Sequence, residues 1–111
     1  ESLVVVGGGA VGCELAQFYS RLGTHVTIVQ SGDYLLPRMD RDAGDLLGEL
    51  FVEEGIGLCL NGRAKKVEGG PGAYRLELEG REPLESTHLM IATGRKPNVE
   101  GFGLENAGVR F

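Results

Sequence analysis

Near the start of the chain, Gly7-Gly8-Gly9-Ala10-Val11-Gly12 places glycine at the first, third and sixth positions of a six-residue run. Glycine at those positions suits one kind of chemistry, the gripping of a phosphate group by bare backbone. The first glycine allows a sharp turn. The third removes a side chain where backbone must approach a pyrophosphate, and the last lets a helix pack closely on the sheet beneath it. A helix opening at Ala10 would then aim its free N–H groups and the positive end of its dipole at the anion. Gly7, Gly8, Gly9, Ala10, Val11 and Gly12 are therefore candidate dinucleotide-binding residues.

The motif alone is weak, because 19 of the 111 residues are glycine, against a usual share of about 7%. Its flanks carry the signal. Leu3 to Val6 form an apolar, β-branched run that reads as a buried strand. Val11, Leu15, Phe18 and Leu22 then recur at helical spacing as an apolar face, with Gly12 and Ala16 small beside them. Gly23 supplies a helix stop, and His25 to Val29 read as a second strand. Strand, tight turn, helix and strand make a βαβ unit of about 30 residues.

The residue closing the second strand reads the adenosine ribose in such units, and an acidic side chain there binds the ribose hydroxyls of NAD. Here the position holds Gln30, followed by Ser31. A neutral amide neither repels nor neutralises a 2′-phosphate. The first cation beyond it is Arg38. The balance favours NAD, with NADP possible.

Further along, Asp40 is positioned as an N-cap, and Ala43, Leu46, Leu47, Leu50 and Phe51 give a second helix its apolar face. Gly44 and Gly48 weaken that helix and Gly55 ends it. Ile56, Leu58 and Leu60 alternate as a third strand. Asn61-Gly62, the cluster from Gly69 to Gly72, and Gly80 are turn signals around Lys65–Glu68 and Tyr74–Leu78, which predict an antiparallel meander. His88 to Ala92 read as a strand returning to the main sheet, and the tail beyond Pro97 as mostly loop.

The charge balance, 11 − 16 = −5, comes without a basic stripe and excludes a nucleic-acid footprint. Cys13 and Cys59 lie far apart and outside any CxxC, which argues against a disulfide scaffold or metal site and for a reducing, cytoplasmic compartment. No apolar run approaches the roughly 18 residues of a membrane helix, and no secretory leader is visible. His25 and His88 open strands without a partner at catalytic spacing, so no catalytic residue is expected.

Three blocks together resemble a known family. They are Val5-Val6-Gly7-Gly8-Gly9-Ala10-Val11-Gly12-Cys13-Glu14-Leu15-Ala16, then Val26-Thr27-Ile28-Val29 with Leu35-Leu36-Pro37, then Ala92-Thr93-Gly94-Arg95-Lys96-Pro97-Asn98. In this order they are similar to the NAD(P)-binding domain of the FAD-dependent pyridine nucleotide-disulfide oxidoreductases, which include dihydrolipoamide dehydrogenase and mercuric reductase. The resemblance implies an α/β, Rossmann-like three-layer domain, with a small parallel sheet flanked by helices and an antiparallel meander before the last strand. It also implies that residues 1–111 are one NAD(P)-binding domain of a larger, homodimeric, FAD-containing enzyme. FAD would belong to another domain of that parent and not to this segment.

The same resemblance puts Glu14 toward the nicotinamide, Ala64 against the adenine, and Ala92, Thr93 and Gly94 beside the dinucleotide. Without a ligand, Glu14 would be a first-turn glutamate favoured by the helix dipole. Arg95 matches a domain-junction position, and Ala10 stands where some members carry a tyrosine gate. The alternative is a regulatory nucleotide-sensing Rossmann module without catalysis, which predicts neither the meander nor the third block.

Overall fold

The computed structural model describes residues 1–111. β1 (Ser2–Val6) runs through the glycine loop into α1 (Ala10–Arg21), followed by β2 (His25–Val29), α2 (Arg41–Glu53) and β3 (Gly57–Cys59). β4 (Ala64–Gly70), β5 (Ala73–Leu78) and β6 (Arg81–Ser86) come next, then β7 (His88–Ile91) and a 3-10 turn at Leu104–Ala107. One sheet has the order β3-β2-β1-β7, with every pair parallel. The other is the antiparallel meander β4-β5-β6.

The strand period of two separates two cores. Leu3, Val5, Val26 and Ile28 face the helices and pack with Cys13, Ala16, Phe51 and Ile56. Val4, Val6 and Val29, on the opposite face, pack with Leu76 and Leu78 of β5. β1 is thus covered on both sides, which is why its sequence is continuously apolar. The architecture has three layers, as expected, but helices do not flank the parallel sheet. Both lie on one face, and the meander covers the other, because Leu76 and Leu78 give the small sheet an apolar side of its own.

α1 turns a different face inward from the one its large apolar residues predict, and α2 keeps only part of its predicted face inside. In α1, Val11, Phe18 and Leu22 are exposed, and so is Leu15. The buried residues are Gly12, Cys13 and Ala16. Small side chains bring the helix axis close to the sheet, which leaves no depth for the larger ones. In α2, Phe51 is buried and Leu47 packs against the core as predicted, but Ala43, Leu46 and Leu50 are exposed and Gly44 is buried in their place. Gly44 does not merely weaken the helix, since a Cβ there would overlap the Leu35 carbonyl oxygen.

Gly69 and Gly70 pair with Tyr74 and Ala73 inside the β4–β5 ladder, leaving Pro71 and Gly72 as the turn. β6 was not predicted as a separate strand. It contains Pro83, which an edge strand tolerates. Only Thr87 separates β6 from β7, and it clasps the start of β1. Its Oγ1 donates to Ser2 O at 2.8 Å and accepts from Ser2 N at 2.9 Å, while its N–H donates to Ser2 Oγ at 3.0 Å.

Candidate functional site

The carboxyl ends of the four parallel strands carry the loops singled out by the sequence, and hydrogen bonds tie those loops together. In open parallel sheets this end is where ligands bind. Gly7 N donates to Val29 O at 2.8 Å, and Ala92 N donates to Val6 O at 2.8 Å. The turn after β3 joins the group through Gly62 N to Gln30 O at 2.9 Å and Asn61 N to Gly32 O at 2.8 Å.

Each glycine of the loop has a separate physical role. Gly7 takes φ +115°, and a Cβ on it would overlap the carbonyl oxygen of Ala92. Gly12 is pressed against the loop itself, because its Cβ would overlap Gly7 O, with Val5 Cγ1 next at 3.5 Å. The close packing expected of Gly12 is therefore mainly against the preceding turn and only secondarily against the sheet. Gly8 is buried between Gln30 and Leu35. Gly9 is different, because a Cβ there would meet nothing within 4 Å.

That open space lies at the mouth of α1. Gly9 is the N-cap and brings no capping side chain. The first intrahelical bond is Cys13 N to Gly9 O at 2.9 Å, and the N–H groups of Gly9, Ala10, Val11 and Gly12 have no acceptor in the protein. Four unpartnered donors at the positive end of a helix form a cradle for an anion. No carboxylate lies in the first turn to compete for them. The donor set fits a pyrophosphate.

The remaining predicted residues fall around this cradle in different ways. Ala92 is half-buried against the core, whereas Thr93 and Gly94 are exposed, and Gly94 takes φ +130° with open space beside it. Ser31 is exposed. Ala64 is exposed at the start of β4, two residues beyond the Gly62 that is tied to Gln30. Glu14 is exposed and makes no ion pair, and it stands beyond the first turn of α1, so the dipole does not account for it. Arg95 is exposed too.

Gln30, the residue placed at the adenosine ribose, has a second engagement within the protein. It is buried, and its Oε1 accepts the N–H of Gly8 at 2.8 Å. The residue braces the glycine loop from beneath. Two further braces escaped the sequence reading. Leu36 N donates to Gly8 O at 2.8 Å from a residue held at φ +54°, and the Cys13 thiol donates to the same oxygen at 3.4 Å. The Leu35-Leu36-Pro37 run was the only signal for the first. Burial pushes the Cys13 thiol up to about 11, which keeps it protonated as that donor.

Both cysteines are free thiols. Arg41 pairs with Asp33 at 2.8 Å and with Asp45 at 3.4 Å, and the hydrogen bond to Asp33 raises its pKa further. No helix is long and apolar enough to cross a membrane.

A β-α-β unit with a glycine turn, opening its helix at the carboxyl edge of a parallel sheet, defines the Rossmann-like class of α/β proteins. The chain belongs to the pyridine nucleotide-disulphide oxidoreductase family, whose model matches residues 1–111. It is 38% identical to a dihydrolipoyl dehydrogenase of Bacillus subtilis over 111 residues, covering 99% of this chain and 24% of that protein. It is 40% identical to an NAD(P)H dehydrogenase (quinone) of Mycobacterium tuberculosis over 112 residues, covering 100% of this chain and 22% of that protein. The crystal structure of LpdA from Mycobacterium tuberculosis superposes with a TM-score of 0.86 at 37% identity, over 98% of this chain and 24% of that one. The chain thus spans about a quarter of the length of the relatives it matches.

Proposed function

We propose that the chain binds NAD(H) or NADP(H) and orients the nicotinamide for hydride exchange with FAD held by another domain of a larger flavoprotein oxidoreductase. The observation that carries this reading is the set of four unpartnered N–H groups from Gly9 to Gly12, facing open space over Gly9. Gly7, Gly8 and Gly12 shape the loop so that these donors point outward. Ala10 and Val11 contribute backbone rather than side chains.

The adenosine end would lie toward Gln30, Ser31 and Ala64, and the nicotinamide end toward Glu14, Thr93 and Gly94. The family supports a redox role, and one relative is named an NAD(P)H dehydrogenase. The bound nicotinamide supplies the hydride chemistry, while these residues supply binding and orientation. Acceptor chemistry, FAD and any dimer contact belong to the rest of the parent.

Calorimetric titration of the 111-residue chain tests the proposal. Saturable binding of NADH or NADPH is expected, without turnover in the absence of flavin. No binding of either up to about 1 mM ligand would refute it. Steady NADH oxidation by the chain alone would refute the division of labour.

A further inference from the structure

Gln30 is 6% exposed, and its Oε1 is committed to the Gly8 N–H at 2.8 Å. That bond settles which way the amide points. Only the oxygen can accept from an N–H, and reversing the amide would set two donors against each other and leave Gly8 without a partner. Gln30 Nε2 makes no hydrogen bond to protein, yet no buried side-chain nitrogen or oxygen lacks a partner. The amide nitrogen is therefore the part of the residue that reaches solvent. It lies 3.5 Å from where a Cβ on Gly32 would stand, on the connector that follows β2.

We infer that Gln30 offers the adenosine ribose a fixed hydrogen-bond donor and no acceptor, so that a 2′-hydroxyl and a 2′-phosphate are accepted with similar affinity. This rests on the dinucleotide reading above. A carboxylate at this place would accept from ribose hydroxyls and repel a phosphate. An amide nitrogen can donate to a hydroxyl oxygen or to a phosphate oxygen, and the stronger bond to the charged oxygen is offset by the greater cost of desolvating it. The one carboxylate between Gln30 and Arg38, Asp33, is engaged by Arg41 at 2.8 Å, so nothing uncompensated there turns a phosphate away. Arg38 is exposed and in no ion pair, and it is not directed at the strand end by any contact, so nothing strongly favours the phosphate either. The sequence balance toward NAD is thereby moved toward parity.

The test compares Kd for NADH and NADPH at fixed ionic strength in the unmodified chain, then in Gln30→Glu and Gln30→Leu. The unmodified chain should bind both within about tenfold of each other. Gln30→Glu keeps an oxygen for Gly8 and turns a second toward the ribose, so the ratio should move against NADPH by about tenfold or more. Gln30→Leu removes the brace and should weaken both cofactors with the ratio little changed.

An unmodified chain that prefers one cofactor by much more than tenfold overturns the inference and leaves the dinucleotide reading standing. Failure to bind either overturns both. A folded Gln30→Glu variant with an unmoved ratio also overturns the inference. Should that variant not fold, 5′-AMP and adenosine 2′,5′-bisphosphate titrated into the unmodified chain decide the matter, a large preference for either being the adverse result.

Discussion

The carbonyl oxygen of Ala92 occupies the place that a Cβ on Gly7 would need. β1 and β7 are parallel neighbours, and the bond from Ala92 N to Val6 O at 2.8 Å holds the two segments together. Gly7→Ala meets both backbone strain at φ +115° and this overlap. The expected loss is about 2–4 kcal/mol, read from urea unfolding. A midpoint within error of the unmodified chain would show that the strand end can move aside.

Gly9→Ala separates binding from stability. Gly9 has φ −78° and open space before it, so the fold should tolerate a methyl group to within about 1 kcal/mol. NADH affinity should nevertheless fall by about tenfold or more, because the methyl fills the approach to the four free N–H groups. Unchanged affinity in a folded Gly9→Ala variant would mean that the pyrophosphate does not come close to this residue.

Leu76 is 1% exposed and, with Leu78, packs the meander against the parallel sheet. Leu76→Ala should cost about 2–4 kcal/mol. Val67, exposed on the neighbouring strand, serves as the control, and its alanine variant should change the midpoint little. Equal effects at the two positions would contradict the division into two cores.

Cys13 gives stability a pH dependence. Burial raises its thiol from 9.0 to about 11, so the folded chain keeps a proton that the unfolded chain gives up. The resulting stabilisation is complete below about pH 9 and is lost as the pH rises through about 11. Unfolding measured at pH 7 and pH 10 should show a decline that is shallower in Cys13→Ala. Parallel pH curves for the two proteins would refute it. Thiol alkylation under native conditions should reach the half-buried Cys59 before Cys13.

The order of strands and helices, β6 excepted, was readable because each rests on local periodicity. So was the position of the glycine loop, since the run from Leu3 to Val6 and the helix after Ala10 bracket it. The buried face of α1 was not readable. Val11, Leu15, Phe18 and Leu22 recur at the same period as Gly12, Cys13 and Ala16, and hydropathy weights the larger set. What decides between the faces is how near the helix must lie to the sheet, and that is set by Gly12 against Gly7, a three-dimensional contact. Gln30 was found by its place at the end of β2, but its brace on the glycine loop was not. Its bond to Gly8 spans 22 residues, and no local pattern announces it.

The clasp between Ser2 and Thr87 joins residues 85 apart in sequence. The meander, by contrast, pairs strands that follow one another directly. Closing a long loop costs more entropy than closing a short one and slows folding. The hairpins of β4–β6 should therefore form early, with β7 arriving beside β1 late. Ala92 reaches Gly7 only when β7 has arrived, so the proposed nucleotide site should be completed among the last events of folding. Fluorescent nucleotide added during refolding should gain its signal with the slowest phase, making binding competence a clock for the closure of the sheet.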